Sequence, residues 1–125
     1  MGSAREVGRD AERRAEAWLA ARGYVVVDRN HATRYGEVDL VCRDGGVLCF
    51  VEVRSRSDDA HGGPEESVDR RKALRVVAAA TDWARRHGAL EDDIRFDVLA
   101  VRGEGEAAVF ELFQAAFDAS GGAAG

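Results

Sequence analysis

The sequence predicts a single α/β domain with a mixed β-sheet flanked by helices and the element order α-β-β-β-α-β-β. Two stretches, residues 4–22 and 68–87, repeat apolar residues every three or four positions, which is typical of amphipathic helices. Between them, two apolar arms flank Asp44-Gly45-Gly46, a strong signal for a β-hairpin. Two further strand-like stretches follow, and a length of 125 residues suits one layered domain.

Composition excludes several classes of protein. Hydrophobic residues make up 46% and charged residues 33% of the chain, as in globular proteins. The formal net charge of −5 argues against a protein that coats nucleic acid through bulk positive charge, although it leaves room for local basic patches. There is no apolar run of membrane-spanning length and no signal-peptide pattern, so we expect a cytoplasmic protein without a membrane partner.

The first helix covers residues 4–22, and Gly23 is positioned to end it. Glu12 lies beside its apolar stripe. This residue either pairs in solvent with Arg9 or Arg13, or points toward whatever the helix covers. The stripe itself consists of Val7, Ala11, Ala15, Trp18, Leu19 and Arg22.

The next stretch, Tyr24 to Arg29, is rich in β-branched residues and predicts a short, buried strand. Residues 30–36 are expected to form a loop into the hairpin. Within that loop, His31 is interpreted as an incidental surface residue rather than a substrate contact.

The hairpin covers roughly residues 37–56, and its turn sets its register. If Gly45-Gly46 is a two-residue turn, the opposed pairs are Asp44 with Val47, Cys42 with Cys49, Val41 with Phe50, Asp39 with Glu52, and Glu37 with Arg54. One face then carries Glu37, Asp39, Val41, Phe50, Glu52 and Arg54. The opposite face is apolar and is expected to pack on a core: Val38, Leu40, Cys42, Cys49, Val51 and Val53.

The acidic face has two interpretations. Opposed carboxylates in an apolar sheet repel, and a hard cation such as Mg²⁺ would neutralise them. Alternatively, Glu37 and Arg54 form an ordinary cross-strand pair, and Asp39 and Glu52 are solvated. The two cysteines, Cys42 and Cys49, are expected to be a reduced, buried pair, because no other cysteine lies within zinc-ligand spacing.

A Gly- and acid-rich stretch, residues 57–66, is expected to be a mobile surface loop, either a plain connection or a flap over the acidic face. Ser67 is the predicted N-cap of the second helix, residues 68–87. This helix begins with a basic cluster that either faces solvent or meets phosphates: Arg70, Arg71, Lys72 and Arg75.

The last strands are predicted at residues 93–101 and 107–113. In the first of them, Asp97 either faces an edge or partners a base near the site. The Ala- and Gly-rich residues 114–125 are predicted to be a disordered tail, so the domain covers residues 4–113.

A set of short motifs runs across about residues 7–101 in a fixed order: Gly8-Arg9-Asp10-Ala11-Glu12, Gly23-Tyr24, Asn30, Gly36-Glu37-Val38-Asp39-Leu40-Val41, Phe50-Val51-Glu52-Val53-Arg54, Lys72 and Arg95-Phe96-Asp97-Val98. The set resembles the YraN-like family of uncharacterised bacterial proteins. That family is similar to the restriction-endonuclease-like fold and its PD-(D/E)xK nucleases, including archaeal Holliday-junction resolvases.

The resemblance implies a nuclease that hydrolyses DNA, branched or single-stranded, in repair or recombination. Asp39 and Glu52 would bind Mg²⁺ or Mn²⁺, with the Val53 carbonyl as a further ligand and Glu12 completing the site. The nucleic acid would be contacted by the basic side chains Arg56, Arg70, Arg71 and Lys72. Such nucleases often act as dimers, so a homodimer is one option, and an RNA substrate stays open.

The principal departure from the nuclease motif is Arg54, which occupies its lysine position. Arginine stays protonated and cannot help to deprotonate water as lysine can, although it can stabilise charge on a phosphate. Two hypotheses follow. Either the protein is a catalytically inactive or weak nuclease that keeps nucleic-acid binding, or Lys72, the only lysine in the chain, supplies the ammonium.

Overall fold

Two helices and five strands follow one another in the predicted order in a computed structural model that describes residues 4–56 and 70–122. The elements are α1 (Ala4–Ala21), β1 (Val25–Thr33), β2 (Gly36–Asp44), β3 (Val47–Arg56), α2 (Arg70–Arg86), β4 (Asp93–Arg102) and β5 (Val109–Phe117), with a short 3₁₀ turn (Gly105–Ala107) before β5. Neither helix is long and apolar enough to cross a membrane within these ranges.

The five strands form one mixed sheet in the order β1-β2-β3-β4-β5. Strands β3 and β4 are parallel, and every other neighbouring pair is antiparallel. Parallel neighbours need a crossover connection, and α2 lies in the connection between β3 and β4. The predicted α/β class with a mixed sheet and two helices is therefore confirmed.

Each face of the sheet packs against one helix. The side that faces α1 holds a cluster with Ala15, Leu19, Tyr24, Leu40, Cys42, Cys49, Val51 and Leu99. The side that faces α2 holds a cluster with Val38, Val41, Leu48, Phe50, Ala73, Val76, Ala80, Trp83, Phe96 and Val98. The predicted apolar face is confirmed for Leu40, Cys42, Cys49 and Val51, and Val53 packs partly buried against the same cluster. Val38 was assigned to the wrong cluster, since it packs on the α2 side.

The predicted hairpin register is confirmed near the turn and ends earlier than expected. Asp44 pairs with Val47, Cys42 with Cys49 and Val41 with Phe50, and the ladder stops at Leu40 and Val51. The predicted continuation to Asp39–Glu52 and Glu37–Arg54 is wrong.

The buried thiols of Cys42 and Cys49 are free, and burial raises the pKa of each to about 12.

Strand β1 corrects two predictions. It extends to Thr33, so most of the predicted loop of residues 30–36 is strand, and a turn at Arg34 and Tyr35 leads into β2. It is also an exposed edge strand, with Val25 60% and Val27 44% accessible, so the prediction of a buried strand is wrong. His31 is not incidental: its Nε2 lies 2.8 Å from Asp82 Oδ2 and ties β1 to α2.

The C-terminal segment differs from the predicted disordered tail at residues 114–125. Strand β5 runs to Phe117, which is buried and stacks on Phe96 with a ring-centroid distance of 5.2 Å. At the start of α2, the Arg70 Nε donates a hydrogen bond to the Ser120 carbonyl at 3.2 Å. The apolar contact between the rings of Phe117 and Phe96 keeps this end of the chain on the sheet.

A polar network is buried on the α1 side of β4. Asp97 is fully buried and accepts hydrogen bonds from the Tyr24 hydroxyl at 3.1 Å, the Arg95 Nε at 2.9 Å and the Ala115 N–H at 2.9 Å. Asp97 therefore partners a base, the second of the two predicted roles, but it does so outside the acidic cleft described below. Burial is tolerated because both carboxylate oxygens accept hydrogen bonds.

The apolar stripe predicted for α2 consists of Ala73, Val76, Val77, Ala80 and Ala84; it is confirmed, with Val77 partly buried and the other four buried. The predicted N-cap Ser67 and the loop of residues 57–66 lie outside the described residues. Trp83 is also buried, and its Nε1 donates to Asp28 Oδ2 at 2.7 Å, a second tie between α2 and β1.

The start of β2 touches α2 main chain to main chain. A Cβ placed on Gly36 would lie 2.0 Å from the Arg75 carbonyl oxygen and 2.8 Å from the Arg75 Cα. Both neighbours are backbone atoms, which cannot rotate away as a side chain would. Glycine is thus required at this position to let the strand and the helix approach so closely.

We expect Gly36→Ala to lower the free energy of unfolding by about 3 kcal/mol, because the added methyl group forces β2 and α2 apart. Urea denaturation measures this loss. Gly46→Ala is the matched control, since a Cβ there meets nothing within 4 Å. Its stability should stay within about 0.5 kcal/mol of the parent protein. Equal effects of the two changes would contradict the proposed close contact.

Candidate functional site

A cleft of about 220 Å³ lies where β2 and β3 diverge beneath the first turns of α2. Its wall combines acids from the sheet with bases from the helix: Glu37, Asp39, Glu52, Val53, Lys72, Arg75 and Val76. The predicted acidic face thus borders a cleft. Opposite charges meet across it because α2 packs over this end of β2 and β3.

Asp39 lies just beyond the end of the β2–β3 ladder. Its Oδ2 accepts a hydrogen bond from the Val53 N–H at 2.7 Å, in place of a main-chain partner. In a strand, the N–H and C=O of one residue point to the same edge. The Val53 carbonyl therefore also faces the gap toward β2, the direction required of the predicted extra ligand.

The environment of Asp39 favours its neutral form. Burial raises the pKa of this carboxyl to about 7; the Val53 hydrogen bond opposes the shift, and the negative charges of Glu12, Glu52 and Glu37 add to it. Three other carboxyl groups therefore act on Asp39 near the cleft. A bound cation would relieve their repulsion.

Glu52 is 7% exposed and lies between two bases. The Arg54 Nη2 donates to its Oε2 at 2.9 Å, and the Lys72 Nζ lies 3.7 Å from its Oε1. The alternative in which Arg54 pairs with Glu37 on the surface is wrong. Because Arg54 and Glu52 are two residues apart on one strand, their side chains share a face and meet there.

Arg54 and Lys72 occupy different places around this carboxylate. The Arg54 side chain is 9% exposed and is hydrogen-bonded to Glu52, whereas the Lys72 side chain is 52% exposed and lines the cleft. A ligand that enters the cleft would meet the ammonium of Lys72. The guanidinium of Arg54 instead holds Glu52 from the buried side.

Glu12 belongs to α1 and acts on the site through its charge. It is the strongest of the three acids that raise the pKa of Asp39, although it is not part of the cleft wall. The alternative pairing with Arg13 is not seen, since Arg13 lies 4.0 Å from Asp10 instead. The other predicted partner of Glu12 is Arg9, whose side chain lies outside the described part of the chain.

The predicted nucleic-acid contacts separate into different places. Lys72 lines the cleft, Arg71 is exposed, Arg70 is bonded to Ser120, and the side chain of Arg56 lies outside the described part of the chain. Arg75, a member of the predicted basic cluster, also lines the cleft. Its spacing of three residues from Lys72 puts both on one helix face, a signal that the sequence already contained.

The donor set suits a hard divalent cation. Mg²⁺ is often held by one or two carboxylates and keeps several waters, and Asp39 and Glu52 supply two carboxylates in one cleft. Among residues 4–56 and 70–122, no group of three or more His, Cys, Asp or Glu side chains is preassembled for a metal. Waters and the Val53 carbonyl would have to complete the coordination.

Comparisons with known proteins agree on one group. A family model described as uncharacterised protein family UPF0102 matches residues 11–101. The chain is 61% identical over 120 residues to the UPF0102 protein of Anaeromyxobacter sp. strain Fw109-5, covering 96% of this chain and 90% of the relative. It is 65% identical over 116 residues to that of Anaeromyxobacter dehalogenans (92% and 86%), and 43% identical over 115 residues to that of Myxococcus xanthus (92% and 91%).

The pKa of Asp39 predicts a pH-dependent stability. The unfolded chain loses this proton near pH 3.8 and the folded chain near pH 7, so the folded state binds more protons between these values. Stability should therefore fall as pH rises through this window. Asp39→Asn keeps the acceptor for the Val53 N–H and removes the charge, so the fall should be absent in the variant.

Urea denaturation of both proteins at pH 4.5 and pH 8 measures this effect. Because pH 4.5 already lies above 3.8, the wild type should lose about 3 kcal/mol relative to Asp39→Asn between the two pH values. If the difference in unfolding free energy between the wild type and Asp39→Asn is the same at both pH values, the raised pKa of Asp39 is contradicted. Glu111→Gln, an exposed change on β5, controls for the general loss of one acid.

Proposed function

This chain belongs to the uncharacterised protein family UPF0102, and from its acidic cleft we propose that it is a metal-dependent nuclease that hydrolyses phosphodiester bonds in DNA. One observation carries the proposal: Asp39 and Glu52 line the same cleft as Lys72 and Arg75. Two carboxylates suit a divalent cation, and two bases suit a phosphate. The resemblance of the surrounding motifs to PD-(D/E)xK nucleases supports the same activity.

The acids divide into direct ligands and one remote group. Asp39, Glu52 and the Val53 carbonyl would hold Mg²⁺ or Mn²⁺, which supplies an activated water and stabilises the charge of the leaving oxygen. Glu12 would act through a water, consistent with its influence on the pKa of Asp39 and its place outside the cleft wall. The Val53 N–H fixes the orientation of the Asp39 carboxylate.

The bases have distinct roles in this proposal. Lys72 is the half-exposed cation of the cleft and would contact the scissile phosphate, with Arg75 one helical turn away on the same face. Arg54 is a positioning residue, because it holds Glu52 through a hydrogen bond of 2.9 Å. An arginine at position 54, where the nuclease motif has lysine, is then compatible with activity, because Lys72 of α2 supplies the ammonium.

A second candidate function is a nucleic-acid-binding module without catalysis. It is favoured by the state of Glu52, whose charge is already balanced by Arg54 and Lys72 without a metal ion. Such a module would use the bases of α2 to bind phosphates. It would need neither Asp39 nor Glu52, whose negative charges oppose binding of a polyanion.

A cleavage assay tests the nuclease proposal. We expect Mg²⁺- or Mn²⁺-dependent cleavage of at least one labelled substrate among single-stranded, duplex, flap and four-way-junction DNA, with RNA as the comparison. Asp39→Ala and Glu52→Ala should each lower the rate at least about 100-fold, and Lys72→Ala about 100-fold through lost charge stabilisation. Glu111→Ala, outside the cleft, should cleave as the wild type does.

Two further outcomes separate the candidates. If folded protein cleaves none of the substrates, even as Arg54→Lys, the nuclease proposal is wrong. Nucleic-acid binding that survives or tightens in Asp39→Ala and Glu52→Ala would then favour the binding module. Cleavage that is insensitive to Lys72→Ala but lost in Arg54→Ala would assign the phosphate contact to Arg54 instead.

A further inference from the structure

The turn between β1 and β2 carries an exposed aromatic side chain. Arg34 and Tyr35 connect Thr33 to Gly36, and Tyr35 is 67% exposed. The Thr33 hydroxyl holds the turn: its Oγ1 accepts a hydrogen bond from the Tyr35 N–H at 3.0 Å and donates one to the Gly36 carbonyl at 3.3 Å. The main chain that carries the ring is thereby fixed by local hydrogen bonds.

This aromatic ring is attached at the rim of the acidic cleft. Tyr35 directly precedes Gly36, whose main chain contacts that of Arg75 in α2. The residue after Gly36 is Glu37, which lines the cleft together with Arg75. The contact that sets the distance between β2 and α2 therefore also sets the position of the Tyr35 main chain relative to the cleft.

Basic side chains lie beside this rim in a chain that is acidic as a whole. The Arg34 guanidinium carbon lies 5.4 Å from the centroid of the Tyr35 ring, and Lys72 and Arg75 line the cleft. With a formal net charge of −5, the rest of the surface repels a polyanion on average. An exposed aromatic ring near basic side chains is a pattern by which proteins bind the nucleobases and phosphates of a single strand.

We propose that Tyr35 is a stacking platform for an unpaired base of a nucleic acid strand whose phosphates lie along Arg34, Arg75 and Lys72. This inference rests on the proposed function and names its substrate class, a polynucleotide with unpaired bases near the scissile bond. In a continuous duplex each base is already stacked on both faces, so a protruding ring finds no base to contact. Stacking tolerates any base, so little sequence preference is expected.

Binding to two strands of equal charge tests the platform. One fluorescein-labelled strand is oligothymidylate, and the other carries a central run of abasic sites in the same backbone. Fluorescence anisotropy in EDTA measures binding without hydrolysis. Wild type and Tyr35→Phe should bind the thymidylate strand about 5- to 100-fold more tightly than the abasic strand. Tyr35→Ala should bind both strands with the affinity of wild type for the abasic one.

Val109→Ala is the matched control, because it removes another exposed apolar side chain, 64% accessible, on the opposite edge strand β5. It should keep the full preference for bases. An oligouridylate strand distinguishes RNA from DNA as the source of the base. Because the Tyr35 side chain is mostly exposed, Tyr35→Ala should melt within about 2 °C of the wild type.

The inference is overturned if Tyr35→Ala keeps the preference of the wild type, or if the wild type shows no preference or no binding. These outcomes leave the nuclease proposal to the cleavage assay, which depends on Asp39 and Glu52. Conversely, loss of base preference in Tyr35→Ala supports the platform even if no substrate is cleaved. The two proposals can therefore fail separately.

Discussion

The close approach of β2 to α2 at Gly36 is the constraint on which the candidate site depends. The strand supplies Glu37 and Asp39, the helix supplies Lys72 and Arg75, and a glycine lets their main chains touch. Two more ties hold β1 on the same helix, the His31–Asp82 contact and the Trp83–Asp28 hydrogen bond. Strands β1 and β2 thus form one unit with α2, and the cleft lies where β2, β3 and α2 meet.

Charge balance explains how the surroundings of the cleft tolerate four acids, Glu12, Glu37, Asp39 and Glu52. Glu52 is held between Arg54 and Lys72. Within the described part of the chain, Asp39 accepts one main-chain hydrogen bond, and burial raises its pKa to about 7. Two neighbouring carboxyls therefore differ in how far their charge is compensated. The less compensated one lies where the ladder opens, which is the place where an incoming cation would lower the energy most.

Much of this arrangement could be predicted from local sequence. The glycine turn and the period of two gave the hairpin register from Asp44–Val47 to Val41–Phe50 and placed Asp39 and Glu52 on one side. The repeat of apolar residues every three or four positions predicted α1 and α2. The end of the β2–β3 ladder after Leu40 could not be predicted. It depends on the Asp39 side chain, which accepts the hydrogen bond of the Val53 N–H in place of a main-chain carbonyl. The 3.7 Å approach of Lys72 to Glu52 likewise depends on how α2 packs.

Other differences have equally local causes. Polar residues in β1 indicated a loop, yet an edge strand tolerates them because one side faces solvent. The Ala- and Gly-rich end indicated disorder, yet Phe117 stacks on Phe96 and Arg70 donates a hydrogen bond to Ser120, and these contacts hold it in place. Arg54 and Glu52 were placed on the same face, but their pairing along one strand was missed in favour of a cross-strand partner.

The buried state of Cys42 and Cys49 has a practical consequence for labelling chemistry. Thiol-reactive dyes attack the thiolate, and both native thiols are shielded from solvent, with pKa values raised to about 12. Since these are the only two cysteines in the chain, a third one introduced on the surface would react almost alone. A fluorophore or spin label could thus be attached beside the cleft without first removing the native cysteines from the core.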